Sequence, residues 1–189
     1  MSPRKSVQQE LTREMIMDAA RDLFVTKGYQ HVSMREIGKI LGCSHGAIYY
    51  HFKNKAELFY ALVENHFAML NEKLQEIIEM ELNPKEKLKQ ILIGFIEFGL
   101  NHQSHYEIMF LIKDEEVRCL INQEPNQVYA NFAQGVASLS GKGLKVQEIW
   151  LLFLALHGFV THYCRQVDSF EEVRGLAEAH TAFLLKSLQ

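Results

Sequence analysis

The chemistry most visible in the chain is concentrated in Ser44-His45-Gly46-Ala47-Ile48-Tyr49-Tyr50-His51. A hydroxyl, two imidazoles and two phenols in so short a run can bond the phosphates and base edges of a nucleic-acid duplex. Gly46 would let the backbone come close to such a partner. Lys55 follows just beyond, where an ammonium can neutralise a phosphate. Other reactive types are present but incomplete. Ser104 beside His105 offers a nucleophile and a base, yet no nucleophile elbow or glycine-rich oxyanion turn accompanies them. His102 and His105 are three apart; His157 and His162 are five apart, with Cys164 beyond. The first pair could face together on a helix turn. No nearby carboxylate or cysteine completes a metal set, and their use beyond packing stays open. Ser140-Gly141-Lys142-Gly143 lacks the upstream glycine and the following Ser/Thr of a phosphate-binding loop. No catalytic residue, metal or cofactor is therefore assigned.

The Ser44–His51 run needs elements to present it. Ser33 is a plausible N-cap, with Glu36 completing a capping box. Ile37, Ile40 and Leu41 lie on one face of the helix that follows, and Gly42 can end it in the left-handed conformation. Ser44 then caps a second helix over about 45–51. That helix is too short to stand alone, so Ala47, Ile48 and Phe52 must pack it against neighbours. Such a pair suits a helix-turn-helix whose second helix enters the major groove. An ordinary helical hairpin with packed tyrosines has the same local signals.

Charge supports a nucleic-acid partner at one end only. The whole chain carries −3. Residues 1–55 hold nine basic and five acidic side chains, a balance of +4, and the remainder holds eleven and eighteen, a balance of −7. A basic head on an acidic body argues against a general nucleic-acid coat protein and for one that presents one end to DNA. The 189 residues suffice for a real core. Cys43, Cys119 and Cys164 show neither pairing nor zinc spacing, as expected of reduced thiols in the cytoplasm. The opening MSPRKSVQQE has no apolar signal core. The apolar run at 149–160 is short of the roughly 20 residues that cross a bilayer.

The remaining periodicity is helical throughout. Thr12 caps a first helix to Lys27, and Gly28 ends it. Asn54 with Glu57 starts a long helix to about Glu81, the expected mechanical link into the body. Asn83-Pro84 with Glu86 restarts a strongly amphipathic helix to about Leu100. A helix follows from Tyr106 to about Asn122, and Pro125 opens another. Residues 146–167 are apolar nearly all round, and a last helix is capped by Ser169 with Glu172. The final two helices read as half of an intermolecular four-helix bundle, with an intramolecular core as the alternative. In the middle helices Phe95, Phe98, Tyr106, Met109, Phe110, Tyr129, Trp150, Phe153 and His157 could wall a small-molecule pocket; each could equally be plain core.

From about Leu11 to Lys55 the chain resembles the DNA-binding domain of the TetR/AcrR family of transcriptional regulators. The residues that carry the resemblance are Ile16, Ala19, Ala20, Leu23, Phe24 and Gly28-Tyr29, then Ser33, Arg35-Glu36-Ile37 and Leu41-Gly42. They continue through Ser44, Gly46, Ile48-Tyr49, His51-Phe52, Lys55 and Leu58. Members often carry lysine where His45 stands here. The resemblance implies an all-α fold of about nine helices. A three-helix head, residues 1–55, would contact DNA through Ser33, Arg35, Ser44, His45, Gly46, Tyr49, Tyr50, His51 and Lys55. A body, residues 56–189, would bind a ligand and dimerise. The expected function is a cytoplasmic homodimeric repressor, released from a palindromic operator by a small, largely apolar effector. A constitutive repressor or an activator is the alternative for the body, and a hydrolase-like enzyme the alternative class.

Overall fold

The computed structural model describes residues 10–112, 127–140 and 143–186. Among them are nine α-helices and no strand: α1 (Arg13–Lys27), α2 (Met34–Ile40), α3 (His45–His51), α4 (Lys55–Glu79), α5 (Pro84–Asn101), α6 (Gln103–Tyr106), α7 (Gln127–Leu139), α8 (Val146–Tyr163) and α9 (Arg174–Lys186). The helix starts are where short polar side chains can take an orphan N–H. Thr12, Ser33, Ser44, Asn54 and Asn83 each accept from the backbone N–H three residues on. Gly28 (φ 81°) and Gly42 (φ 64°) supply the left-handed backbone that lets α1 and α2 end.

The head is α1–α3 sealed by the first turns of α4. Its core holds Ile16, Phe24, Tyr29, Ile37, Ile48, Phe52, Leu58 and Phe59. The rings of Phe24 and Tyr29 both meet the Phe59 ring at 5.2 Å, edge-on. That geometry suits their quadrupoles. The body packs around α5. From Leu88 to Leu100 this helix buries Ile91, Leu92, Ile93, Phe95, Ile96 and Phe98, so it is covered on nearly every side rather than on the single face its amphipathic pattern predicts. It is α8, read from sequence as apolar all round, that keeps an open side: Val146, Trp150, Leu151 and Leu154 are exposed in the protomer. Hydropathy alone cannot distinguish a helix surrounded within one chain from one with a face left over.

Glycines permit the tightest crossings of α5. A Cβ at Gly99 would lie 2.5 Å from Val160 Cγ1 of α8 and 3.0 Å from Tyr106 Cδ2. After α5 the chain turns into α6 and continues as a π-helical turn over Glu107–Leu111. Ile112 is extended. The helix expected from Tyr106 to Asn122 therefore starts earlier, at Gln103, and its regular part ends by Leu111; its remainder lies outside the described residues, as do Pro125 and residues 141–142. Ser169 and Glu172 cap a 3-10 turn, Phe170–Val173, that leads into α9.

One cluster of side chains pins α6 to the end of α8. Arg165, at φ 65°, bonds Glu107 through Nη2 (2.6 Å) and Nε (3.0 Å) and reaches Ser104 Oγ at 3.3 Å. Its backbone N–H donates to Gln103 Oε1 at 2.7 Å. Ser104 thus faces Arg165, whereas the ring of His105 meets that of His66. The two do not form a nucleophile–base pair.

Candidate functional site

The α3 helix is held from below and bare above. Ile48 and the following Phe52 are fully buried, while Tyr50 is 88 % exposed. Ser44 Oγ accepts from Ala47 N at 3.2 Å, which fixes the first turn. His45, Gly46 and Tyr49 are exposed beside it, the His45 and Tyr49 rings 4.6 Å apart. A Cβ on Gly46 would meet nothing closer than Ser44 Oγ at 4.0 Å, so its bare backbone is open to a close partner. The Tyr50 ring lies edge-on to His51 at 5.3 Å. His51 is only partly exposed.

On α2, Arg35 and Lys39 are exposed, and Lys53 is exposed after α3. Ser33 spends its hydroxyl as the α2 cap, accepting from Glu36 N at 3.2 Å. Glu36 also pairs with Lys27. That hydrogen bond is the main reason its carboxyl lies below the usual range.

Two cations serve the head's own architecture. Lys55 Nζ donates to Tyr29 O at 2.8 Å and sits 4.1 Å from the centre of the Tyr29 ring. It is half-buried, so one of its three donors is already committed. Arg13 stacks 4.0 Å over Phe52 and donates from Nη1 to His51 O at 2.5 Å, satisfying a carbonyl at the end of α3. Sequence reasoning missed Arg13. Its partner is 38 positions away, and no local pattern links them.

Seven of the nine residues expected to wall a pocket lie in one aromatic cluster of the body. Phe95 meets Tyr106, Phe110 and Phe153 at ring separations of 5.7–6.3 Å. Phe153 is the hub: Tyr129 lies edge-on to it, and Trp150 and His157 stack on it at 5.4 and 5.8 Å. Tyr106 OH bonds His157 Nδ1 at 2.6 Å, and Thr161 Oγ1 is 3.5 Å from His157 Nε2. Burial holds the Tyr106 phenol well above its usual pKa. The Tyr129 hydroxyl is buried without a hydrogen-bond partner. Trp150 is at the cluster's surface edge. Phe98 and Met109 are buried elsewhere. Phe98 turns to the His102 ring at 5.1 Å, away from Phe153. Phe132, not anticipated, joins the cluster against Phe95 and Phe153.

Among the described residues these rings pack closely on one another. Between α4, α5, α7 and α8 there is a gap of about 20 Å³, bordered by Leu70, Leu74, Ile77, Gly94, Phe132 and Phe153. That is room for about one water, against roughly 300–1,000 Å³ for a ligand pocket. A ligand seated in that gap would have to part these helices. A larger groove of about 590 Å³ runs outside, between α4 and α7, where Asn71, Gln75, Asn131 and Gln134 alternate with Leu74 and Ile78.

Phe67 and Ile108 are among the residues that join the body to the head. Phe67 of α4 packs edge-on against Phe110 at 5.7 Å. Ile108, on the π-helical turn, is buried in the head core. Elsewhere α8 and α9 leave Val146, Leu151, Leu154, Leu176 and Phe183 exposed. No helix among the described residues is long and apolar enough to cross a membrane.

Residues 16–62 match the family profile of bacterial regulatory proteins, tetR family. The HTH-type transcriptional regulator AcrR of Shigella flexneri is 33 % identical over 111 residues, covering 58 % of this chain and 52 % of that protein. The Transposon Tn10 TetC protein of Escherichia coli is 27 % identical over 180 residues, 89 % of this chain and 88 % of that one. Among solved structures, the transcriptional regulator FadR of Bacillus subtilis in complex with stearoyl-CoA matches with a TM-score of 0.72 at 20 % identity, over 94 % of this chain and 97 % of that chain. This similarity shows a shared fold, head and body together. The chain spans about half the length of the first curated relatives it matches.

Proposed function

We propose, for a chain that belongs to the TetR/AcrR family of transcriptional regulators, that it is a homodimeric repressor released from its operator by a small, largely apolar effector. The head, residues 1–55, reads DNA, and the body, residues 56–189, binds the effector and the second copy. The observation that carries the reading is the α3 surface. Tyr50 stands 88 % exposed on a helix whose opposite side is fully buried. Tyr50 and Tyr49 with the His45 imidazole form an exposed polar-aromatic patch on a helix braced from below, an arrangement that can meet base edges and phosphates. Ser44, His45, Gly46 and Tyr49, on the same helix or its cap, are exposed with it, as is Arg35 on α2; Lys55 is half-buried.

A dimer follows from the other end of the molecule. The exposed apolar side of α8 and α9 carries Val146, Leu151, Leu154, Leu176 and Phe183. Packed on a second copy about a two-fold axis, these helices would form a four-helix bundle. The two α3 helices would then enter successive major grooves, one helical turn apart on a near-palindromic site.

The effector would act by opening the body. A molecule that parts α4 from α5 and α7 would favour a packing in which the Phe95–Phe153 cluster is broken. It shifts the equilibrium only as far as it prefers that state. Because α4 runs from the head core into the body core, the same movement changes the spacing of the heads. The apolar lining suits an apolar chain or ring system, and the bound stearoyl-CoA of the structurally similar FadR supports the acyl class. Its site of action would be the cytoplasm.

The test is selection of duplexes from a random pool, followed by gel shift of the winner with and without saturated and aromatic acids. The expected result is a palindromic site bound by two protomers, with affinity lost on adding one ligand class. Failure to enrich any duplex would overturn the DNA-binding reading.

A further inference from the structure

Where the head rests on the body, three histidines and an arginine meet. His66 of α4 is 1 % exposed, and its Nδ1 is buried without a hydrogen-bond partner. Its ring touches that of His105 on α6, with centroids 4.1 Å apart. The His102 ring lies 5.3 Å from that of His105. From the head, α1 contributes Arg21, whose Nη1 is 3.4 Å from His105 Nε2. Asp18 and Asp22, both well exposed, flank Arg21 at 2.9 and 3.5 Å. A guanidinium at this distance makes the pocket unsuitable for a metal cation, and no metal-holding group of three or more His, Cys, Asp or Glu occurs among the described residues.

We infer that this cluster is a proton-sensitive latch between head and body: protonation of His66 and His105 drives α1 and its Arg21 away from α6. As packed, the contact needs both rings neutral. A charge on His105 would face Arg21 directly, and a charge on His66 would be buried against His105. Arg21 remains positive at any relevant pH, and its carboxylate partners lie on the solvent side.

The direction of the pH effect follows. Burial is the main cause that pushes His66 down to about 3, with His105, Arg21 and His102 adding to it. Burial and then Arg21 push His105 down to about 4, against the opposing pull of Asp18 and Asp22. Undocked, each ring takes up its proton near the ordinary 6.5. The neutral, docked form is therefore at full strength above about pH 6.5 and weakens as pH falls below it. Between pH 7.5 and 5.5 each ring shifts the docked-to-undocked ratio by up to about tenfold, and the two together by up to about a hundredfold. Given the regulator reading above, a proton becomes a second effector acting at the joint.

The latch can be tested without DNA or ligand. Ile108 is a body residue buried in the head core, so its methyl resonance reports docking in the full chain labelled at isoleucine. The expected result in the parent protein is a second, undocked Ile108 signal that grows between pH 7.5 and 5.5, with the helical circular dichroism unchanged. The His66→Gln/His105→Gln double variant should lose this response. His105→Gln alone, at a partly exposed position, should lose about half of it on a logarithmic scale, and Arg21→Gln should weaken it. An Ile108 signal that ignores pH would overturn the latch. So would an acid response that survives in the histidine variants, or one that coincides with loss of helix.

Discussion

Replacing Phe183 by Asp should dissociate the protein without unfolding it. The ring is 72 % exposed in the protomer. A phenylalanine buries roughly 200 Å² when fully covered, so about 140 Å² is available to a partner. At about 25 cal/mol per Å² this is worth ~3.5 kcal/mol per ring. A two-fold interface uses the ring twice. If only half of that area is covered, the loss is still ~3–4 kcal/mol per dimer, a rise of about two to three decades in Kd. Placing two carboxylates in the interface adds to the loss. The assay is analytical ultracentrifugation from nanomolar to micromolar protein, beside thermal melting of the variant. Monomers with intact helical signal are expected, and Phe183→Leu should remain largely dimeric. An unchanged association constant for Phe183→Asp would refute the bundle. Unfolding of the variant would instead show that Phe183 belongs to the protomer's own core.

Tyr50→Ala should weaken operator binding by about ten- to a hundredfold (~1–3 kcal/mol) in a gel shift. Its melting temperature should stay unchanged, because the side chain has little protein around it. Lys55→Ala should both destabilise the head by about 1–2 kcal/mol, by removing a charged hydrogen bond and a cation–π contact with Tyr29, and lower the salt slope of DNA binding by up to about one. Urea unfolding that is indifferent to this change would contradict the Tyr29 anchor. Gly99→Ala should cost about 1–3 kcal/mol by overpacking against Val160. Val160→Ala in the same chain should recover part of that loss in a double-mutant cycle, since both short contacts to α8 are Val160 methyls.

Helix starts were the most legible feature, because capping is written within four residues: Ser33 to Glu36 and Asn83 to Glu86 are local statements. The head was legible for a further reason. Its motif is long, ordered and dominated by side chains that pack within 60 residues of one another. The body was harder. Whether α5 or α8 sits at the centre depends on what surrounds each helix: α8 is the more apolar of the two in sequence, yet α5 is the one covered on nearly every side. Phe98 and Phe95 are three apart on α5, yet one turns to His102 and the other to the Phe153 hub. Only the crossing angles of neighbouring helices decide that. The roles of Arg13 and Arg21 were invisible for the same reason, since their partners His51 and His105 are 38 and 84 positions away.

The central claim is that the exposed face of α3 meets duplex DNA, twice per assembly. It is tested most directly by photo-crosslinking from position 50. A benzoyl-phenylalanine placed there should attach to bases of the selected duplex at two sites about one helical turn apart, while the same group at exposed Met80 should attach to none. Crosslinks from Met80 but not from position 50, or a single attachment site per complex, would contradict the account.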